Sequence, residues 1–232
     1  QYENPTMDQT SRSTHTVLAE YGTATWCGYC KYAHAALKNI YAAGTQDFQY
    51  ISMVHDKNVH ASARNNEYNI YGFPTVWFDG GYEVRVGAGS VSGAEAAYNS
   101  AIDSCENRPV YDIYAQLSVE WTGNAVMNII VSIQNNESTP YHGHLHVYVT
   151  EIVSSMGWVD TWGYPYTFPF LDYAFNQDLT INAGDTWQAS TTWDGHNHND
   201  GHGSDFGGIT MNNTMVILAV FNDTWHQGYS YP

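Results

Sequence analysis

The sequence predicts two domains of different class, an α/β domain followed by an all-β sandwich. Three observations predict this organisation. The 232 residues suit two domains of roughly 110 residues each. Strand and helix patterns alternate in the first half, and near residues 107–109 the pattern changes to plain alternation. We therefore expect a lead-in over residues 1–14, the α/β domain over 15–107 and the sandwich over 108–232.

The first domain is expected to follow the order β-α-β-α-β-β-α. Apolar runs, helical spacing, a helix cap at Asn58 and a turn at 79–81 predict its elements. They lie at 16–22, 28–43, 48–54, 58–69, 75–78, 82–86 and 92–105. The first three elements form a βαβ unit, which implies two parallel strands joined by a right-handed crossover.

The second domain is expected to consist of strands, because no long helix can be drawn after residue 109. The strands are predicted at 111–121, 125–134, 145–152, 178–181, 186–192 and 215–221. Their spacing suits an antiparallel sandwich of immunoglobulin-like or jelly-roll-like type. Two irregular stretches, 156–173 and 194–208, are long enough to be functional loops or simply segments that cover the sandwich.

Charge and composition limit the classes of partner and location. Seven Lys and Arg against 23 Asp and Glu give a net charge of −16, which opposes binding to nucleic acid or anionic lipid. No apolar stretch approaches the ~18 residues of a transmembrane segment. The start lacks a signal-peptide pattern, which indicates a cytosolic or an already processed chain. Two features favour a mature exported protein, located outside the cell (extracellular), in the periplasm (periplasmic) or at the cell surface. Lys is scarce, and glycosylation sequons occur at Asn136, Asn212 and Asn222.

Cys27 and Cys30 lie where the first strand is expected to lead into the first long helix. A helix N-terminus presents unpaired N–H groups and a positive potential, which would stabilise Cys27 as a thiolate. The second sulfur lies one turn further on, within bonding reach. This predicts Cys27 as the attacking thiol and Cys30 as the resolving thiol. The alternatives are a structural disulfide and half of a zinc site, although the chain has no second CxxC pair.

A second motif, GFPT at residues 72–75, precedes a strand-turn-strand pattern. Together with WCGYCK at 26–31, it resembles the active-site motif and cis-proline loop of the thioredoxin superfamily over residues 15–106. The resemblance implies a thioredoxin-like α/β fold, a redox-active Cys27–Cys30 disulfide without a required cofactor, and protein thiols or disulfides as substrates. It also implies a cis peptide bond at Pro74. The residues it implies around the substrate are Trp26, Gly28, Tyr29 and Phe73.

Two features depart from the thioredoxin pattern. Where thioredoxins carry a buried carboxylate, this chain has Tyr21, and the nearest acid is Glu20. If residues 22–24 bulge by one residue, Glu20 would face the Cys30 sulfur and accept its proton; otherwise it is a solvated charge at the strand end. The Gly-Tyr pair between the cysteines leaves the redox poise open. The odd cysteine, Cys105, is expected to be a buried inert thiol rather than part of an intermolecular disulfide.

Two groups of histidines are candidate metal ligands. Strand alternation would place His142, His144 and His146 on one face, where they can chelate Zn²⁺ or Cu²⁺. The loop group, which includes acidic and glycine residues that suit Ca²⁺, contains His196, His198 and His202. Such strands and loops are also common in exported β-domains that bind no metal.

The function predicted from these observations is an exported thiol–disulfide oxidoreductase. The order of the two domains is similar to that of exported bacterial and archaeal surface proteins, and the sandwich would position substrates or tether the enzyme to the cell surface. The alternative is a non-enzymatic extracellular binding protein whose CxxC is a structural disulfide and whose loops contact glycan, protein or metal. Exposure of the Cys27 sulfur separates the two, because a nucleophile must be reachable.

Overall fold

The structure is a computed structural model that describes residues 15–223. Its helices are α1 (Cys30–Ala43), α2 (Val59–Glu67) and α3 (Val91–Glu106). The strands of the first domain are β1 (Val17–Thr23), β2 (Phe48–Val54), β3 (Thr75–Phe78) and β4 (Glu83–Val86). Those that follow are β5 (Ile113–Gly123), β6 (Val126–Asn135), β7 (Tyr141–Glu151), β8 (Phe170–Ile181), β9 (Thr186–Asp194) and β10 (Thr214–Asn222). The expected lead-in, residues 1–14, lies outside the described residues.

The first domain is built on a four-stranded sheet of order β2-β1-β3-β4. The β1 and β2 strands are parallel, whereas β3 is antiparallel to both of its neighbours. Side chains of β1 alternate between two buried environments. Ala19 and Tyr21 pack into the core with α1 and α3, while Leu18 packs in a second cluster on the opposite face. The predicted order of elements is confirmed, and β1 is buried on both sides as a central strand requires.

Helix α2 begins where the sequence predicts its cap. The Asn58 side chain accepts a hydrogen bond from the backbone N–H of His60 at 3.0 Å, which satisfies one orphan donor of the first turn. Its amide group also donates to the carbonyl oxygens of Phe170 and Leu171, each at 2.7 Å. A single buried side chain therefore caps the helix and attaches it to β8 of the second domain.

The second domain consists of two antiparallel three-stranded sheets, β10-β7-β8 and β5-β6-β9, which enclose a common core. The six strands predicted for this region are all present, and the fold class is confirmed. Strand β8 starts at Phe170, eight residues earlier than predicted. Its pairing with β7 shifts register at Val147/Tyr148 and again at Val149/Thr150. Such irregularities break the period-two pattern on which a sequence prediction depends.

The two domains share a second apolar cluster. It combines Leu18, Ile51, Met53 and Ala61 of the first domain with Tyr148, Phe170 and Phe221 of the second. Backbone hydrogen bonds reinforce this contact, because Ser52 donates to the Phe168 carbonyl at 2.8 Å and Val59 to that of Asp200 at 3.0 Å. The outer face of the β10-β7-β8 sheet is therefore partly covered by the first domain.

Candidate active site

Cys27 and Cys30 form a disulfide at the N-terminus of α1, with their Cα atoms 5.4 Å apart. Strand β1 ends at Thr23 and α1 begins at Cys30, so both sulfurs lie at the predicted strand-to-helix junction. The backbone N–H of Cys30 donates a hydrogen bond to the Cys27 sulfur at 3.2 Å. The same N–H also donates to the Cys27 carbonyl oxygen at 3.3 Å. An N–H directed at a sulfur stabilises negative charge there, so this geometry favours a thiolate at Cys27 when the pair is reduced.

The two cysteines differ in accessibility. Cys27 has 5% of its surface exposed, whereas Cys30 is completely buried. The residues on either side of Cys27 are open to solvent, since Trp26 is 65% exposed and Gly28 has no heavy atom within 4 Å of where a Cβ would lie. Cys27 is therefore the less buried of the two cysteines and lies between exposed neighbours.

The second sequence motif lies beside the first. The Phe73–Pro74 peptide bond is cis, and the ring of Phe73 packs edge-on against Trp26 with 5.7 Å between their centroids. On its other side Phe73 lies 5.2 Å from the ring of His55. Because Trp26 adjoins Cys27 and Phe73 adjoins Pro74, the fold brings the disulfide and the cis-proline loop into one continuous surface.

Tyr21 occupies the position where a thioredoxin would carry its buried acid. It has no exposed surface, and its hydroxyl donates a hydrogen bond to the carbonyl oxygen of Cys30 at 2.7 Å. Burial raises the pKa of Tyr21 well above its usual value, so the phenol keeps its proton. Beneath Cys30 the strand thus provides a neutral hydrogen-bond donor.

Glu20 does not reach the cysteines, and both expectations for it are wrong. Strand β1 pairs with β2 in unbroken register from Val17 to Thr23, so the expected bulge is absent from this strand. Glu20 consequently points to the face opposite Tyr21. It is 1% exposed, which also excludes a solvated charge at the strand end.

The Glu20 carboxylate forms a buried ion pair with Arg64 of α2. Two guanidinium nitrogens donate to its two oxygens, each at 2.8 Å. The hydroxyls of Tyr68 and of Tyr148 donate to the same carboxylate, the latter at 2.9 Å. Burial alone would lower the pKa of Arg64, but the adjacent Glu20 charge raises it above the usual value. Because Tyr148 belongs to β7, this cluster joins the two domains through a hydrogen bond as well as packing.

The connection between β7 and β8, residues 152–169, lies against the active-site helix, and we name it the arm. His34 of α1 is buried, and its Nδ1 lies 2.8 Å from an oxygen of Asp160 in the arm. The other ring nitrogen, Nε2, accepts the backbone N–H of Thr167 at 3.2 Å. The hydroxyls of Thr23 and Tyr166 meet at 2.9 Å. The second domain therefore contacts both β1 and α1, the two elements that the Cys27 loop connects.

Asp160 also organises the tip of the arm. Its Oδ1 atom accepts the backbone N–H groups of Trp162 at 2.8 Å and of Tyr164 at 3.1 Å. Burial raises the pKa of the Asp160 carboxyl, but the hydrogen bonds from His34 and from these amides outweigh that effect and lower it overall. One ionised carboxylate thus fixes the turn and ties it to α1.

We expect Asp160→Asn to lower the free energy of unfolding by about 2 kcal/mol at neutral pH, because an amide is a weaker acceptor than a carboxylate. A carboxyl whose pKa is lowered by folding stabilises the protein above its unfolded-state pKa. That contribution disappears as the pH falls through the folded-state pKa. The difference between wild type and variant should therefore shrink below about pH 4. Urea unfolding at several pH values measures it, and a difference that stays constant down to about pH 3 would contradict this role.

The histidine groups are engaged by other side chains. His142, His144 and His146 share a strand face as predicted, but His144 contacts Asp178 at 2.7 Å and His146 contacts the Tyr148 hydroxyl at 2.8 Å. Burial lowers the pKa of His146 well below its usual value.

The loop histidines have partners of their own. His196 contacts Asp194 at 2.9 Å, and His198 contacts Asp172 at 2.6 Å. The backbone N–H of His202 donates to Asp200 at 2.7 Å. Among residues 15–223, no three His, Cys, Asp or Glu side chains are arranged to hold a metal ion.

The third cysteine lies apart from the disulfide. Cys105, near the end of α3, is a free thiol without exposed surface. Burial raises the pKa of the thiol, so it stays protonated. Its burial agrees with the expected inert thiol.

Sequence reasoning missed His34, Arg64 and Asp160. A signal existed for His34, because it falls on the buried stripe of α1 between Ala33 and Leu37, and a polar side chain there needs a partner. Arg64 is likewise a charged residue on the buried side of a short helix. Asp160 gave no local signal, since its partner lies 126 residues away along the chain.

Comparisons with known proteins agree with the fold. Residues 4–116 match the family model described as Thioredoxin. The structure of HBP35 of Porphyromonas gingivalis superposes with a TM-score of 0.64 at 15% identity, covering 91% of this chain and 71% of that one. A protein from Agrobacterium tumefaciens superposes with a TM-score of 0.46 at 14% identity, covering 78% and 79%. No curated protein matches the chain.

Within residues 15–223, the helices lack the length and apolar character that a membrane span requires.

Proposed function

We propose that this chain exchanges disulfides with protein substrates through Cys27 and Cys30, because residues 4–116 match the Thioredoxin family model and the two cysteines form a disulfide at the start of α1. In the reducing direction, the Cys27 thiolate attacks a substrate disulfide and one substrate thiolate leaves. Cys30 then attacks the Cys27 sulfur and releases the second. The chain ends with the Cys27–Cys30 disulfide, and the substrate has gained two electrons and two protons. The same steps in reverse oxidise a substrate dithiol.

The observation that carries this proposal is the environment of the Cys27 sulfur. It accepts a backbone N–H at the start of α1, and Cys27 is the less buried member of the pair, with exposed residues on either side. A reactive thiol needs a stabilised thiolate and an approach for its partner, and these two features support both. The alternative in which the CxxC is only a structural disulfide requires neither.

Proteins rather than nucleic acids are the substrate class that the surface favours. Trp26 and Tyr29 adjoin the disulfide and are 65% and 64% exposed, which offers aromatic surface to a polypeptide. The net charge of −16 opposes phosphate backbones and favours basic partners.

The proposal includes an exported location. Protein substrates with stable disulfides occur chiefly in oxidising compartments, where an exchange enzyme would meet them. The side chains of the sequon residues Asn136 and Asn212 lie on exposed positions, where a glycosylating host could modify them.

The reduction potential of the Cys27–Cys30 pair tests the function. The protein is equilibrated in glutathione or dithiothreitol buffers, and its free thiols are counted by alkylation and mass spectrometry. A value of about −120 to −200 mV would indicate an oxidase or isomerase, and one near about −270 mV a reductase. A value far below about −300 mV would mark a structural disulfide and overturn the proposal. Cys105 serves as an internal standard, since it should react only after unfolding.

A further inference from the structure

The tip of the arm places exposed aromatic rings beside the disulfide. Trp162 is 46% exposed and Tyr164 is 60% exposed, although both belong to the second domain. Two such rings on a soluble protein leave apolar surface in water, where it contributes nothing to folding. Their position next to a reactive pair suggests a role in binding.

The rings form a row that starts between the two cysteines. Tyr29, inside the CxxC motif, lies 6.4 Å from Tyr32, and Tyr32 packs edge-on against Trp162 at 5.3 Å. Tyr164 continues the row at 6.5 Å from Trp162. The Lys31 ammonium lies 5.2 Å from the centre of the Trp162 ring, which adds a cation–π contact between α1 and the arm. The surface is therefore continuous across the domain boundary.

The row is held in place before any partner arrives. Asp160 fixes the turn through the backbone N–H groups of Trp162 and Tyr164, and His34 holds Asp160 on α1. Inside the arm, the backbone N–H of Asp160 also donates to the carbonyl oxygen of Tyr164 at 2.9 Å. Rings on an ordered turn lose little conformational freedom on binding, which is how preorganised surfaces gain affinity.

We infer that Trp162 and Tyr164 are substrate-selecting residues and that the arm extends the disulfide surface into a binding site for extended polypeptide. Two ring-to-ring steps, of 6.4 and 5.3 Å, lead from Tyr29 in the CxxC motif to Trp162. Each step spans about two residues of extended chain. The occupant is therefore a segment that carries an aromatic or large aliphatic side chain within about four residues of its reacting cysteine. The acidity of the chain favours a segment that also carries basic residues. This inference rests on the proposed function for its reaction, but the binding can be measured without any reaction.

The test uses two peptides that differ at one position. Each carries one cysteine, blocked as a mixed disulfide with glutathione, and two lysines. One peptide has Trp three residues from the cysteine and the other has Ser there. The reduced full-length protein is mixed with each, and the second-order rate constant for release of glutathione is measured. We expect the Trp peptide to react about ten-fold faster, the factor that one aromatic contact supplies.

Variants assign that preference to the arm. Trp162→Ala should reduce the ratio of the two rate constants to about one, and Tyr164→Ala should reduce it in part. Tyr114→Ala is the matched control, because Tyr114 is 55% exposed but lies on β5, and it should keep the wild-type ratio. A wild-type ratio of one, or a loss in Trp162→Ala that is shared equally by both peptides, would overturn the inference.

A binding measurement separates this inference from the proposed function. The oxidised protein is titrated with versions of both peptides in which the cysteine is replaced by serine, so that no exchange can occur. Tighter binding of the Trp peptide, lost in Trp162→Ala, supports the arm as a binding surface even if the wild type proves unable to exchange disulfides. Equal binding of the two serine peptides overturns it.

Discussion

Cys27→Ser should lower the rate of disulfide exchange by at least about a thousand-fold, because it removes the nucleophile itself. Cys30→Ser should also stop turnover, but for a different reason. In that variant Cys27 can still attack and the mixed disulfide forms, but the chain has no second active-site thiol to displace it. The readouts are turnover of a disulfide-containing protein with dithiothreitol as the reductant and, with the reduced protein freed of dithiothreitol before mixing, a covalent adduct on non-reducing gels identified by mass spectrometry.

Cys105→Ala controls for the loss of a thiol elsewhere in the chain. Cys105 is buried in the core near the end of α3, and we expect its variant to exchange disulfides at the wild-type rate. Full activity in Cys27→Ser, or an adduct that forms on Cys27→Ser but not on Cys30→Ser, would contradict the assigned order of attack.

The second large effect is expected at the buried ion pair. Glu20→Gln should lower the free energy of unfolding by about 3–5 kcal/mol, because it removes the buried carboxylate of Arg64 and leaves the guanidinium with only the partly exposed Glu67 as an anionic partner. Arg64 is 1% exposed, so water cannot replace the lost partner. The double variant Glu20→Leu/Arg64→Met removes both charges and should recover much of this loss. Urea unfolding at neutral pH provides the comparison.

Glu67→Gln is the matched control for this prediction. Glu67 accepts from the same guanidinium at 2.9 Å, but its side chain is 46% exposed. An exposed pair of this kind contributes less than about 1 kcal/mol. If Glu20→Gln and Glu67→Gln destabilised the protein equally, burial would not be what makes the Glu20 pair strong.

The order of elements in the first domain was predictable because local patterns determine it. The helix cap at Asn58, the βαβ pattern and the glycine turn after β3 each act within a few residues. The CxxC and Pro74 motifs carry their own spacing and need no knowledge of the second domain. The structure places both motifs side by side, as the resemblance implied.

The role of Glu20 could not be predicted from the motif, because its partners come from elements distant in sequence. Arg64 is 44 positions away and Tyr148 is 128 positions away. Strand alternation places Glu20 opposite Tyr21, but it does not show whether that opposite face is solvated or buried against the second domain. The arm escaped prediction for a related reason. The irregular stretch at 156–173 was visible in the sequence, but nothing local indicates that its Asp160 would meet a histidine on α1.

The cluster shared by the two domains means that neither half is a portable module. A fragment that ends after α3 would expose Leu18, Ile51 and Met53 to water and would leave the Glu20–Arg64 pair without the Tyr148 hydroxyl. Removing the arm would uncover His34 and Thr23 beside the disulfide. Fusing the CxxC region to another scaffold, or excising the sandwich to obtain a minimal enzyme, would therefore change the reactive surface itself.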